Sequence, residues 1–332
     1  MKNLILCCDW GTSTFRLRLV YKRDYKVIAE VQSKDGIARI FEAWKGQKDL
    51  TRLEFYAREL ENKIRKISDD CDHELSHVPL LVSGMASSSI GIVEISYASL
   101  PFPIDGSQAS LKVFEDIKGL ENPLILISGV KSSEDVMRGE ETQLIGLLHL
   151  NEMTAEESND AIFVFPGTHS KHIYVKDGSI TDFQTFMTGE IFNVLAEHSI
   201  LKDSVTLNPS LELTGTNLSA FKKGVAFSGA STLLHSLFTV RTNQLFKNLA
   251  AEQNSFYLSG LLIGSEIRHL ANRDGKPVIV CSGKNLFETY KIAFEELDFT
   301  SGITFIPPEE IDKATIAGQI QIFNASNIFS NE

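Results

Sequence analysis

Residues 4–31 open with Leu4-Ile5-Leu6-Cys7-Cys8-Asp9-Trp10-Gly11-Thr12-Ser13-Thr14-Phe15-Arg16-Leu17-Arg18-Leu19, turn at Lys22-Arg23-Asp24 and return from Tyr25 to Val31. The first five residues are apolar, and Phe15, Leu17 and Leu19 alternate with Arg16 and Arg18, so two strands flank the stretch between them. A tight turn holding a carboxylate, a glycine and three hydroxyls can receive an anion. Gly11 lets the backbone come close, N–H and hydroxyl groups donate, and Asp9 can orient a magnesium-bound water. Ordinary hairpins use the same residue types, so the six residues alone leave both readings open.

A second copy strengthens the anion reading. Ile162-Phe163-Val164-Phe165 leads into Pro166-Gly167-Thr168-His169-Ser170-Lys171, then His172-Ile173-Tyr174-Val175, a Lys176-Asp177-Gly178 turn, and Ser179-Ile180-Thr181-Asp182-Phe183. Strand, Gly-Thr turn, strand, charged turn and strand recur in the order of the start. Two such units predict two similar domains, 1–155 and 156–332, divided within the acidic stretch Asn151 to Asp160, with the two turns facing a cleft.

The chain has 332 residues, enough for two domains of about 150 residues each. Its net charge is −11 and its 32 basic residues form no run, which argues against a nucleic-acid backbone as partner. No apolar stretch reaches the roughly 18 residues of a bilayer span and no signal-peptide pattern opens the chain, so a cytoplasmic protein is expected. The four cysteines, Cys7, Cys8, Cys71 and Cys281, form no Cys-x-x-Cys pair. They read as reduced core residues, with no structural metal.

Leu50, Leu53, Ala57, Leu60, Ile64 and Ile67 recur at helical spacing between an acidic start and a basic end, predicting an amphipathic helix. Val78 to Val82 and Leu124 to Ile127 each run into Ser-Gly. Strands separated by helix-length segments predict parallel pairing, with ligands at the loops beyond their carboxyl ends. Those loops carry Ser87, Ser88 and Ser89, and Ser132 to Asp135, groups able to hydrogen-bond a polyol or simply to make turns. Asp135-Val136-Met137-Arg138-Gly139-Glu140-Glu141 then leads into a helix. Glu140 and Glu141 read first as dipole and capping partners, whereas Asp135, nearest the loop, is placed to accept the proton of an attacking hydroxyl.

In the second half, Thr188-Gly189-Glu190 introduces an apolar helix, and Gly260 and Gly264 share one face of another, predicted from Ser255. Such a pair marks a close approach, by a packed helix on spacing alone. Val278 to Cys281 ends in Ser282-Gly283-Lys284, a strand, turn and helix start able to bind an anion. A last helix from Asp312 is expected to close the second domain. P-loop, dinucleotide and protein-kinase signatures are absent, so a nucleotide would have to use the two hairpins.

The stretches from Asp9, Ser83-Gly84-Met85, Asp135 to Gln143, Pro166 to Lys171, and Phe186 to Glu190 resemble the 2-dehydro-3-deoxygalactonokinase family, in order and spacing along nearly the whole chain. The resemblance implies an α/β fold of two ribonuclease-H-like domains, of the actin and hexokinase type, around an ATP cleft. It implies an enzyme that phosphorylates the 6-hydroxyl of 2-dehydro-3-deoxy-D-galactonate, with ATP and magnesium, in galactonate catabolism. Carried onto this sequence, Asp9 positions magnesium, Gly11, Thr12 and Ser13 hold phosphate from one side, and Gly167, Thr168, His169 and Lys171 hold it from the other. Asp135 is the general base, at a helix start. Arg138 holds the substrate carboxylate or orders the loop, Ser87, Ser88, Ser89 and Glu140 line the sugar, and Gly264 and Gly283 lie near adenosine. The expected partners are a sugar acid and ATP, with a homodimer left open.

One departure bears on the substrate. Where the family commonly reads Gly-Met-Ile-Gly-Ser-Arg-Gln-Gly-Trp, this chain has Gly84 to Ile92 with Ser89 for the arginine and Ile92 for the aromatic. Losing a bidentate partner of a carboxylate costs on the order of 2 to 3 kcal/mol. A kinase of another sugar or polyol, and a nucleotide-dependent switch protein, stay open as alternatives.

Overall fold

The computed structural model describes residues 3–71, 73–150, 159–207, 212–272 and 275–326. Two compact units emerge: Met1–Asn159, Val175–Asp182 and Glu310–Glu332 form unit 1, and Asp160–Tyr174 with Phe183–Glu309 form unit 2. The boundary expected at 155 falls in residues 151–158, outside the described residues.

Unit 1 is built on β1 (Leu4–Trp10), β2 (Phe15–Tyr21) and β3 (Val27–Ser33), an antiparallel meander. Next to β1 runs β4 (Leu80–Gly84), with Leu6 opposite Leu80, and next to β4 runs β8 (Leu124–Ile127), both parallel as the sequence predicts. The sheet order is β3-β2-β1-β4-β8-β7, the last being Leu111–Phe114. One face packs on helices α1 (Ile37–Lys45) and α2 (Arg52–Asp69), where Trp10, Tyr56, Leu60 and Ile64 are buried together. α2 starts at a reciprocal cap: Glu54 N–H donates to Thr51 Oγ1 at 3.3 Å, and Thr51 N–H to Glu54 Oε2 at 3.0 Å.

The other face of that sheet corrects the expectation for the C-terminal helix. The Pro308–Ala325 helix lays Ile316, Ile320 and Phe323 on Ile5, Cys7, Val20, Leu81 and Ile125, so from Glu310 onward it belongs to unit 1. Gln319 Nε2 donates to Cys8 O at 2.7 Å and to Ser83 Oγ at 2.8 Å, tying the helix to β1 and β4. Being covered on both faces, β2 is buried along most of its length: Val20 is fully buried and Arg18, only 6% exposed, pairs with Glu30.

Unit 2 repeats the plan, with sheet order β15-β14-β11-β12-β13. These strands are Ile303–Ile306, Val278–Cys281, Asp160–Phe165, Ser170–Lys176 and Ser179–Phe186, and β11, β14 and β15 run parallel. The tip of the β12–β13 hairpin turns at Asp177 and Gly178, both at positive φ, and counts with unit 1, where Ser179 and Ile180 pair with Pro103 and Phe102. Each unit thus has three strands in chain order followed by two parallel ones, the ribonuclease-H-like arrangement.

A second correspondence lies in the helices. In unit 1, α3 (Glu140–Leu150) crosses the C-terminal helix at Gly146 and Gly318. A Cβ on Gly146 would meet Ala314 O at 1.8 Å, and one on Gly318 would meet Thr142 O at 1.8 Å. In unit 2, Gly224 of the Gly215–Phe227 helix and Gly260 of the Ala251–Arg268 helix meet the facing backbones at 2.2 Å in the same way. The latter helix begins at Ala251 rather than Ser255, where Ala250 N–H donates to Gln253 Oε1 at 3.0 Å. Cys7, Cys8 and Cys281 are buried free thiols and Cys71 is half-buried.

Candidate active site

Asp9 is the penultimate residue of β1, half-buried, and Thr12, Ser13 and Thr14 beyond the strand are exposed. The turn closes on itself through Gly11 N–H to Thr14 O at 3.0 Å, while Gly11 O and Thr12 O accept from Ile37 and Ala38 N–H at the start of α1. Trp10 anchors the stretch from below, donating its indole N–H to Asp35 O at 2.9 Å. The hydroxyls of Thr12 and Ser13 therefore face out from a fixed backbone. Burial pushes the Asp9 carboxyl up, the Arg18 and Arg16 guanidinium groups pull it back, and the charges of Glu140 and Asp312 add to the rise.

Gly84, at φ +84°, lets β4 pass close to β1: a Cβ there would lie 2.9 Å from Trp10 O and 3.4 Å from Asp9 Oδ1. Beyond it, Ser87 Oγ donates to Ile127 O at 2.9 Å and accepts from Arg138 Nη1 at 2.7 Å, and Ser88 Oγ donates to Met85 O at 2.7 Å. Both serines are buried, so their hydroxyls hold the loop's own backbone. Ser89 is exposed, and its carbonyl accepts from Arg52 Nη1 at 2.7 Å. Arg138 stacks 3.9 Å from the Tyr97 ring centroid and donates to Ile95 O at 3.3 Å, so it orders the loop. Ile92, where the family has an aromatic, is buried in the core.

Asp135 was expected at a helix start and lies elsewhere. It occupies the turn between β9 (Val130–Lys131) and β10 (Val136–Met137), and its Oδ1 accepts from Val136 N–H at 2.7 Å. The helix begins at Glu140 because Val136 and Met137 pair with β9, and Gly139, at φ +111°, turns the chain into α3. Glu140 is, with Asp312, one of two carboxylates whose charge reaches Asp9. Glu141 is 2% exposed and accepts from Gly139 N–H at 3.0 and 2.8 Å, so it caps the helix.

Burial, then the neighbouring Glu140 charge, pushes the Glu141 carboxyl up to about 8. The unfolded chain releases this proton from its ordinary value of 4.5, while the folded chain keeps it to about 8. The stability this group contributes is thus fully present below the ordinary value and is lost as pH rises towards 8, by about 1.4 kcal/mol per pH unit in that window. Glu141→Gln is expected to flatten the slope. Urea midpoints near pH 5 and near pH 7.5 check this, and equal slopes for the two proteins would contradict it.

In unit 2 the Gly167-Thr168-His169-Ser170 turn is held by Gly167 N–H to Ser170 Oγ at 3.3 Å. Thr168 O accepts from Gly189 and Glu190 N–H at 3.1 and 3.0 Å, locking the turn to the start of the Thr188–His198 helix. Only glycine fits at 189, since a Cβ there would lie 2.8 Å from Thr168 Cα. His169 pairs with Glu190, and both are exposed. Lys171 is buried on β12 and donates to His169 O at 3.3 Å.

Gly167, Thr168, Thr188 and Gly189 form one end of a cavity of about 710 Å³, whose apolar lining includes Phe192, Leu213, Phe256 and Leu286. Sequence reasoning missed Phe256 and Leu213, because an aromatic or leucine on a helix reads equally as core. Gly283 caps the Lys284–Glu296 helix beside the lining residue Asn285, with open space around it. Gly264 is not at the cavity. A Cβ on it would lie 2.5 Å from Ser228 Oγ, so it serves the helix contact that its spacing suggested.

Comparison with known proteins shows the family of the chain. The family profile described as 2-keto-3-deoxy-galactonokinase matches residues 9–322. A Rhizobium meliloti protein named "Probable 2-dehydro-3-deoxygalactonokinase" is 30% identical over 86% of this chain and 87% of its own. The 2-dehydro-3-deoxygalactonokinase of Escherichia coli is 28% identical over 88% of this chain and 89% of its own. A crystal structure of a protein assigned as a 2-dehydro-3-deoxygalactonokinase, from Sinorhizobium meliloti, superposes with a TM-score of 0.76 at 28% identity, covering 99% of this chain and 97% of that one. Among the described residues no helix is long and apolar enough to cross a membrane.

Proposed function

We propose a reaction for this chain, which belongs to the 2-keto-3-deoxy-galactonokinase family: transfer of the γ-phosphoryl group of ATP to the 6-hydroxyl of 2-dehydro-3-deoxy-D-galactonate. The observation that supports it within the molecule is the unit 2 cavity. It has a backbone turn and a helix start at one end, suited to phosphate, and an apolar flank at Leu213, Phe256 and Leu286, suited to a base. In this reading Gly167, Thr168 and His169 hold nucleotide phosphate, Gly283 borders adenosine, and the exposed hydroxyls of Thr12 and Ser13 donate to phosphate.

Asp9 suits a hard divalent cation as a carboxylate oxygen ligand next to the turn that carries the exposed Thr12 and Ser13. Among the described residues no cluster of three or more His, Cys, Asp or Glu could hold a metal, so water and phosphate oxygens would complete the set. Magnesium bound there would neutralise charge on the phosphate oxygens. For the proton of the attacking hydroxyl, Asp135 is the base of the sequence reading. Glu140 is a second reading, favoured by its electrostatic reach to Asp9.

A coupled assay of ADP release decides. The wild-type chain is expected to turn over with 2-keto-3-deoxy sugar acids, and silence across a panel of them would refute the reaction. Asp135→Asn and Glu140→Gln separate the bases: the true one lowers kcat by about a thousand-fold with the KM for ATP little changed. A comparison of kcat/KM for the galactonate-derived acid and a neutral sugar tests the substrate, and Arg52, bonded to Ser89 O, brings a guanidinium to the loop that lacks the family arginine.

A further inference from the structure

Beneath the Gly167–Ser170 turn lies a buried carboxylate that the proposed chemistry does not use. Glu266, on the Ala251–Arg268 helix, is 2% exposed. Its Oε2 accepts from Tyr290 Oη at 2.8 Å and from Thr188 Oγ1, and its Oε1 pairs with His172 Nε2 at 3.2 Å. Tyr290 and Thr188 donate their hydroxyls to it, and the tautomer of His172 sets the direction of the third contact.

The directions then run in one line. Tyr290 donates its O–H to Glu266, so its oxygen accepts from Ser170 Oγ, 3.1 Å away. Ser170 Oγ in turn accepts from Gly167 N–H at 3.3 Å. Through this chain Glu266 fixes the turn, and through Thr188 it fixes the helix start that holds Thr168 O. Both segments form the same end of the cavity. His172 Nδ1, on the far side, is buried and has no partner among the described residues. A buried carboxyl group with an unpartnered ring nitrogen beside it is a poor device for stability alone, since apolar residues of similar size commonly do better.

We propose that Glu266 is a positioning residue that sets the spacing between the Gly167–Thr168 turn and the Thr188–Gly189 helix start, and thereby the affinity of that cavity end for a nucleotide's phosphates. The inference rests on the reading of the cavity as a nucleotide site. Glu266 acts through Tyr290, Ser170 and Thr188 and touches no ligand itself.

The test is calorimetric titration of the full-length chain with ADP and, separately, with adenosine. Glu266→Gln replaces an acceptor-only group by one that must donate on one side, and Tyr290→Phe removes the link to Ser170 while keeping the ring. Both variants are expected to bind ADP about tenfold or more weakly and adenosine as the wild type does. Unchanged ADP affinity in both overturns the inference and leaves the nucleotide reading intact. Parallel loss of ADP and adenosine affinity also overturns it, because it marks a general loss of packing. A wild-type chain that binds neither ligand refutes the nucleotide reading, and the inference with it. If Glu266→Gln fails to fold, Tyr290→Phe and Thr188→Val, each removing one link, decide alone.

Discussion

Asp9→Asn is expected to lower kcat by about a thousand-fold or more while leaving the chain folded. The two side chains are nearly the same size, and the fold does not need the charge. Burial already pushes this carboxyl up, so a neutral group removes a desolvation cost even as it forfeits the pull of Arg18 and Arg16. What the amide lacks is the negative oxygen proposed to hold magnesium. The ADP-release assay measures the loss, and a melting curve by circular dichroism verifies the fold. Activity within about tenfold of the wild type would remove Asp9 from the site.

Gly318→Ala is expected to destabilise unit 1 by about 3 kcal/mol or more, among the larger effects of a single methyl group. The new Cβ would lie 1.8 Å from Thr142 O, 2.8 Å from Thr142 C and 3.1 Å from Gly146 N. All three are backbone atoms of α3, so no flexible side chain can yield. The helices would have to separate, lifting Ile316 and Ile320 from Ile5, Cys7 and Leu81 and stretching the bonds of Gln319 to Cys8 O and Ser83 Oγ. Gly146→Ala is expected to act alike, since its Cβ would lie 1.8 Å from Ala314 O. Urea unfolding of the two variants measures the change, and a loss under about 1 kcal/mol would mean the crossing relaxes freely.

Much of the fold was legible in residues 4–31 and 161–183. Strand periodicity and turn chemistry are local, so the two meanders and the α2 helix follow from spacing, with Asp49 and Thr51 near the helix start. The parallel partners β4 and β8 followed from the helix-length segments that separate strands. The site was legible in part. Gly167, Thr168 and Gly189 end at one cavity because a Gly-Thr turn and a helix start announce themselves in sequence. Ser87, Ser88 and Arg138 have the residue types of a ligand loop, yet their polar groups satisfy Ile127 O, Met85 O and Ile95 O, an assignment no spacing reveals.

Thus the sequence by itself determined the two repeated strand and turn units, the family, and the residue types at both Gly-Thr turns, because each is written in neighbouring positions. Tertiary structure alone decided that the C-terminal helix covers the first sheet, that Asp135 lies in a hairpin turn while Glu140 opens the helix, and that Glu266 stands beneath the second turn. The physical reason is the same in each case. An apolar helix face or a lone carboxylate is compatible with many partners, and which one it meets depends on packing between segments far apart in the chain.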